Sequence, residues 1–427
     1  MEKGNLRMHH WTVTSGLQLV LVALLTFLLN PLHYVITAFI IWDLVCNIRN
    51  ERLWFGIRVT RIVKPLVVRY VKACVVGAVG SAALLALGAA VSWTTILFVT
   101  VLSLVLGAIR SRFTSSSFAI SVAVTLAGVA GMFQSPGPSF LSSALRFLQG
   151  FETKSWLAIG VVAALAELLL QWWNKRDAVF PALMTSKRGR RIGALKIQLG
   201  FVMPLMLWMT PINHGAVTFF GGFHPWLTSP QTSLGICIIP VVFGLHGLFT
   251  ALKPERVLVQ WRWWNLAQAA VLAAGFAVEQ WTKIDFGWLA APVMIALIEC
   301  VRSVWRRVDA SSEPLIAPDN RGVMVLYTIR DSLSDKLGLL PGEIVTHVNQ
   351  TPVHTEYDLH FAFDQNPAYA KFQIIDTRGE VRLVGNPVYE GERHQLGLIV
   401  VVPGEQPALA LKRPLGFLET MYLRRNR

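Results

Sequence analysis

The sequence predicts an α-helical polytopic membrane domain followed by a small α+β domain, a curved sheet or partial barrel with one main helix. Three observations predict it. Hydrophobic blocks of membrane-spanning length, broken by short basic connections, follow one another up to about residue 308. Only 15% of the 427 residues are charged and mean hydropathy is +0.49, whereas a soluble domain averages about 25% charged residues. Beyond residue 318 the pattern becomes alternating and charged, as in a water-soluble module. The expected division is therefore a multi-span domain over 1–308, a turn-rich linker over 309–318, the small domain over 319–402 and a basic tail over 403–427.

A span needs roughly 20 apolar residues. Helical blocks of that kind are expected at 73–91, 93–109, 113–134, 155–173, 198–220, 231–252, 263–279 and 286–302. The first apolar region, 14–46, is longer than one span and contains Asn30-Pro31. Asn as N-cap with Pro at the first helical position marks the start of a new helix there. Residues 14–29 are then either a re-entrant or interfacial segment before a span, or one arm of a hairpin, for about 8–10 membrane segments in all. No cleaved signal peptide is expected, because no small-x-small site follows Gly16–Leu29 and the apolar run resumes after Pro31.

Formal charge is +14, and its placement is more telling than its size. Residues 316–402 carry 7 Lys+Arg against 11 Asp+Glu, and the tail carries 5 against 2, so the excess sits in the connections of the membrane domain. The first connection holds Arg49, Arg52, Arg58, Arg61, Lys64, Arg69 and Lys72. Alternate later connections hold Arg110 and Arg112, then Lys175 to Lys196 with the Ser186–Arg191 run, then Lys253, Arg256 and Arg262, and the last block exits into Arg302, Arg306 and Arg307. The intervening connections are poor in Lys and Arg. This alternation predicts that the basic connections and the C-terminal domain are cytoplasmic. It marks topology and contact with anionic lipid, not the continuous basic stripe of a nucleic-acid binder.

Chemistry inside the membrane is sparse. Glu167, His214, His246, Glu279 and Glu299 are the ionisable candidates. Such groups are costly in lipid and functional by default, yet a relay needs several at matched depth. Glu167 instead reads as a hydrogen-bonded contact between helices or as an end residue reaching for the interface. The H-E-x-x-H string of zinc-dependent intramembrane proteases is absent, and His9-His10 lie outside any helix core. Cys46, Cys74, Cys237 and Cys300 form no C-x-x-C pair, so neither a disulfide framework nor a metal site is expected. No catalytic residue, metal or cofactor is expected, and the protein reads as a non-enzyme.

In the small domain, strands are expected at Val323–Ile329, Ile344–Val348, Phe372–Asp376 and Val381–Val384. A short helical turn over Ser332–Leu337 comes between the first two. Thr355 followed by Asp358 makes a capping box for a helix over 355–365, with Leu359 and Phe363 on its apolar stripe. Arg378-Gly379 is a tight hairpin turn. The run Gly338-Leu339-Leu340-Pro341-Gly342-Glu343-Ile344-Val345, followed by Val348-Asn349 and Pro352-Val353, resembles the PDZ domain of the bacterial type over about 80 residues. Two departures occur: Glu343 stands where Asp is usual, and Gln350 where Gly is usual. The resemblance implies a groove between a strand edge and the capped helix that takes an extended peptide. It implies an edge strand at Val323–Ile329, with Val323, Met324 and Val325 pairing with the peptide main chain, and Arg321-Gly322-Val323 as the turn that binds its carboxylate. Glu356, His360 and Phe363 would face the groove from the helix. Gly338, Pro341 and Gly342 shape a turn.

Several spans followed by one PDZ-like domain resemble the MinJ family of division-site proteins, and the early Asn30-Pro31-Leu32-His33-Tyr34 segment with its basic loop is similar as well. That resemblance implies a membrane-anchored scaffold of the Min system at septum and poles, with a DivIVA-type scaffold and a MinD-type ATPase as partners. Two other readings stay open: a regulatory partner of a membrane protease, and a transporter-like protein with a PDZ sensor. The tail places Leu415, Leu418, Met421 and Tyr422 near one face with Arg424, Arg425 and Arg427 at the end, which suits either the inner leaflet or a disordered end.

Overall fold

The computed structural model describes residues 21–402 except 22, 26, 60–62, 110–114, 134–139, 175–177, 187–189, 211–225, 228–233, 283–286, 367 and 390–395. The basic tail, His9-His10, His214, Lys283 and the middle of the Ser186–Arg191 run lie outside the described residues. The described part is a helical N-terminal region with apolar helices, followed by a sheet-rich C-terminal region.

Helix α1 (Pro31–Phe55) begins at the expected place. Asn30 is extended, its Oδ1 accepts from the Leu32 amide at 3.0 Å, and Pro31 opens the helix. Then follow α2 (Val63–Leu87), the short β1 (Ala90–Val91), α3 (Trp93–Ile109), α4 (Ser116–Gly131), α5 (Phe140–Gln149) and α6 (Thr153–Trp173). Among the described residues α1, α2 and α6 are long and apolar enough to cross a membrane. Helix α5 was not expected; its residues read as a connection because ten residues are too few to span.

The larger difference comes next. Two blocks expected as spanning helices, 198–220 and 231–252, are strands over most of their described residues, to Met209 and from Gly235 to Phe249. β2 (Val179–Thr185), β3 (Arg191–Met209) and β4 (Gly235–Phe249) form an antiparallel sheet, and β1 adds to β3 in parallel. The physical reason lies in residues that a span tolerates poorly. Pro204 and Pro240 interrupt the two runs, and a Pro inside a helix costs about 3 kcal/mol. In the sheet they face each other, so both missing donors fall at one rung of the ladder. Gly200, Gly244 and Gly247 weaken a helix further, while Ile236, Ile238, Ile239, Val241 and Val242 favour a strand. An unpaired sheet edge is expensive in an apolar setting, and neighbouring helices cover this one. The Met206 amide donates to Ser81 Oγ at 2.8 Å, the Val242 amide donates to Ser116 Oγ at 2.7 Å, and the Trp208 indole donates to the Leu85 carbonyl at 2.9 Å. Gly77 on α2 lies so close to Pro204 that a Cβ would strike the Pro204 carbonyl oxygen.

Helices α7 (Pro254–Thr282) and α8 (Gly287–Ser311) complete the body; α7 contains the block expected at 263–279, and α8 covers the described residues of that expected at 286–302. The final region contains β5 (Val323–Thr328), α9 (Leu333–Lys336), β6 (Ile344–Val348), β7 (Thr351–Pro352), α10 (Glu356–Asp364), β8 (Tyr369–Ile375), β9 (Val381–Pro387) and β10 (Leu398–Val401). Its sheet runs in the order β10-β5-β6-β8-β9, with β7 paired to β6.

The linker is not a free tether. Helix α8 runs through Asp309, whose Oδ1 accepts from the amides of Thr250, Ala251 and Leu252 at 2.8–3.2 Å. The Leu315 amide then donates to the Thr250 carbonyl, and the Gly193 amide to the Ile316 carbonyl, both at 2.8 Å. One face of the module sheet closes on Leu359, Ala362 and Phe363 of α10. The other face, with Met324, Leu326, Ile344, Ile399 and Val401, packs on Leu183 and Leu195 of the body sheet and on Trp54 and Phe55 at the end of α1.

Candidate peptide-binding edge

Helix α10 has the expected capping box. The Asp358 amide donates to Thr355 Oγ1 at 3.1 Å, and the Thr355 amide donates to Asp358 Oδ2 at 2.9 Å. A hydrogen bond from the Thr355 side chain, followed by those from the His354 and Thr355 amides, holds the Asp358 carboxyl below the usual carboxylate range. Glu356 and His360 are exposed on the helix and Phe363 is buried beneath it.

The Gly338–Glu343 turn is fastened from within. Gly338 (φ +67°) and Gly342 (φ +92°) take the left-handed conformation that glycine adopts without strain. Glu343, nearly fully buried, accepts from the Leu340 amide at 2.8 Å, and Arg382 on β9 donates to both of its carboxylate oxygens at 2.8 Å. The carboxylate that replaces the usual Asp thus pins the turn to the far end of the sheet. Asn349 ties the C-terminal end of α10 to β8: its Nδ2 donates to the Ala362 carbonyl at 3.1 Å, and its Oδ1 accepts from the Lys371 amide at 2.9 Å.

The expected edge strand requires correction. β5 lies inside the sheet, with β10 on one side and β6 on the other. Val323 pairs with Val345, Met324 with both Ile344 and Val401, and Val325 with Val400; the Val325 amide donates to the Glu343 carbonyl at 2.8 Å. All three side chains are buried. Gly322 is needed for packing: a Cβ there would strike the Val345 carbonyl oxygen. Arg321 is committed to Asp319, which accepts from its side chain at 2.7–3.1 Å and is held below the usual carboxylate range chiefly by that contact. The structure therefore does not bring Arg321–Val325 together with Glu356, His360 and Phe363 as an open groove. Edge status is a property of the whole sheet, and a run of strand-forming residues does not reveal which neighbour will flank it.

The edge on this side is β10. Leu398 and Val400 are half-buried against the core that holds Leu359 and Phe363, while Ile399 and Val401 point to the body. The strand is entered through Gly397 (φ +68°), whose carbonyl accepts from the Ile329 amide at 2.7 Å and from Ser334 Oγ at 2.8 Å. A left-handed glycine opening an edge strand can present successive amides as an anion-binding nest. Sequence reasoning missed this strand, although Leu396-Gly397-Leu398-Ile399-Val400-Val401 carried the signal of a β-branched run behind a glycine.

In the body, Glu167 is a hydrogen-bonded contact between helices. It accepts from Ser115 Oγ at 3.0 Å, Gln171 Nε2 at 3.3 Å and Trp261 Nε1 at 3.5 Å. Glu279 accepts from Thr153 Oγ1 at 2.5 Å, Glu299 pairs with Arg306 at 3.5 Å, and His246 Nε2 lies 3.2 Å from Asp43 Oδ2. These groups sit in separate contacts.

No family model matches the chain, and no solved structure matches it. It is 28% identical over 397 residues to the "Cell division topological determinant MinJ" of Bacillus subtilis (strain 168), covering 91% of this chain and 96% of that protein. It is 23% identical over 234 residues to the "Probable cell division topological determinant MinJ" of Lacticaseibacillus paracasei, and likewise to that of Lacticaseibacillus casei (strain BD-II), covering 53% of this chain and 60% of each relative. Along nine-tenths of its length the chain is MinJ-like: a division-related membrane protein.

Proposed function

We propose that this protein is a multi-pass membrane adaptor, not an enzyme, whose cytoplasmic PDZ-like module captures an extended segment of a partner along β10. The observation that carries the reading is the sheet order, with β10 at the edge beside the core of α10 and a left-handed glycine at its entry. An added strand would pair main chain with main chain, and the half-buried Leu398 and Val400 would meet alternate side chains of the guest. Exposed Glu356 and His360 of α10 are the polar groups available to set preference. Likeness to a cell division topological determinant supports partners from the Min system, by resemblance a DivIVA-type scaffold and a MinD-type ATPase, and enrichment at septum and poles. The alternation of basic and Lys/Arg-poor connections along the sequence supports the cytoplasmic placement.

The test is binding of the purified scaffold and ATPase to the full chain in nanodiscs. Leu398→Lys should weaken capture of at least one partner by tenfold or more, whereas Arg321→Ala should leave it unchanged. Equal binding by Leu398→Lys and the parent, or loss on Arg321→Ala alone, would sink the assignment to β10.

A further inference from the structure

The β8–β9 hairpin extends the body-facing side of the module beyond the body itself. On β8, Ala370, Phe372 and Ile374 are buried under α10. Alternate residues Tyr369, Lys371, Gln373 and Ile375 therefore point the other way, because successive side chains leave a strand on opposite faces. Ile375 joins the cluster that contains Trp54 and Phe55 of α1 and Leu183 and Leu195 of the body sheet. The register sets Val381 opposite Ile375 and Leu383 opposite Gln373 on that same face. Yet Val381 is 60% exposed, Leu383 62% and Tyr369 44%. One continuous face thus begins as the docking surface and ends as an uncovered apolar stripe on an edge hairpin.

The docked end of that face meets the end of an apolar helix. Trp54 and Phe55 are the last residues of α1, a helix long and apolar enough to cross a membrane, and Arg49, Arg52 and Arg58 flank them. Aromatic and basic residues at a span end mark the headgroup level. Leu53 and Ile57, beside them, are also about half exposed. The exposed stripe is continuous with the face that meets this end of α1. Its content suits that position: two aliphatic side chains, a tyrosine ring and the exposed Lys371 are the mixture that settles at the boundary of acyl chains and headgroups.

We propose that Val381, Leu383 and Tyr369 lie on the interface of an anionic phospholipid bilayer, so that the module is held to the membrane at the hairpin as well as through the body. This rests on the membrane-anchoring part of the function proposed above and not on peptide capture. In a full chain with its four cysteines replaced by alanine, single sites Leu383→Cys, His360→Cys and Val45→Cys are labelled with the environment-sensitive dye NBD. The protein is reconstituted with phosphatidylcholine and phosphatidylglycerol carrying brominated acyl chains. Leu383→Cys should be quenched at least threefold more than His360→Cys on α10, and Val45→Cys, exposed on α1, should be quenched strongly. Equal values at 383 and 360 with a quenched site at 45 overturn the hairpin contact and leave the anchoring intact. An unquenched site at 45 removes the anchoring reading and this one with it. A benzophenone amino acid at 383 in the native-cysteine chain gives an independent answer: a lipid adduct supports the contact, and a chain–chain adduct assigns the face to a second copy and overturns it.

Discussion

The molecule contains two antiparallel sheets that reach stability in opposite ways. The body sheet, β1–β4, is packed on by helices and, at Leu183 and Leu195, by the module, and its strands are nearly continuous apolar runs. The module sheet, β5–β10, alternates inward and outward residues and is closed on one face by its own helix and over part of the other by the body. The difference teaches where sequence periodicity survives. A strand buried on both faces loses its alternation and cannot be told from a buried helix by pattern alone, whereas a strand with two unlike faces keeps a period of two.

The largest expected effect tests the module's own core. Phe372 is fully buried beneath α10, so Phe372→Ala should cost about 3–5 kcal/mol through lost transfer energy and the cavity left behind. In the full chain, pulse proteolysis should show residues 319–402 becoming cleavable while α1, α2 and α6 remain protected. Cleavage of body and module together would show that the two sheets unfold as one unit. The converse perturbation falls on the body. Gly77→Val forces a side chain into the Pro204 main chain, and overpacking of this kind costs about 1–3 kcal/mol. Thermal unfolding in detergent should then shift for the body while module proteolysis changes little. A silent Gly77→Val would mean that α2 does not pack on β3 as described.

Much of this architecture was legible because the signals are local. Asn30-Pro31 started α1, Thr355 with Asp358 capped α10, and Arg378-Gly379 turned β8 into β9, each through contacts within five residues. Apolar blocks gave α2, α3, α4 and α6, which no internal Pro near mid-block interrupts, whereas the equally long blocks around Pro204 and Pro240 became strands. What was not legible depends on distant partners. Pro204 and Pro240 are tolerable only because they face each other across 36 residues of chain. The edge of the module sheet is set by β10 pairing with β5 more than 70 residues away, and nothing within Arg321–Val325 announces that it will be covered. The docking of the module on β2 and β3 was hidden for the same reason, since Asp309 gives no local hint that it will cap the Thr250–Leu252 amides.

A smaller effect separates the two sheets by pH. Asp358, Asp319 and Asp376 in the module are all held below the usual carboxylate range, each chiefly by hydrogen bonds to the ionised form. A lowered folded value means that their stabilisation is complete above the ordinary carboxylate value and is lost as pH falls through the lowered one. The module should therefore lose stability on the acid side between those limits. Thr355→Ala removes the principal hydrogen bond to Asp358 and costs about 1 kcal/mol as an N-cap loss. Module unfolding followed by proteolysis should show a shallower acid dependence in Thr355→Ala than in the parent; identical pH profiles would break the link between the cap and the titration.

The smallest effect carries the opposite sign. Asn349 and Gln350 both take positive φ, 50° and 72°, in the turn between β6 and β7. A left-handed conformation costs an ordinary L-residue roughly 1–2 kcal/mol. Asn349 offsets its share through the bonds to Ala362 and Lys371, whereas Gln350 is exposed. Gln350→Gly relieves the strain and gives back roughly 0.5–1 kcal/mol in unfolded-chain entropy. The net should be a gain of a few tenths to about 1 kcal/mol for the module. Asn349→Gly, at the neighbouring position of the same turn, should instead lose about 1 kcal/mol, because it removes two hydrogen bonds, one of them part-buried, for little relief. Opposite signs at adjacent residues, read as the denaturant midpoint for module proteolysis, would show that turn geometry alone sets the Gln350 effect. A loss at both positions would mean that Gln350 makes a contact worth more than its backbone strain.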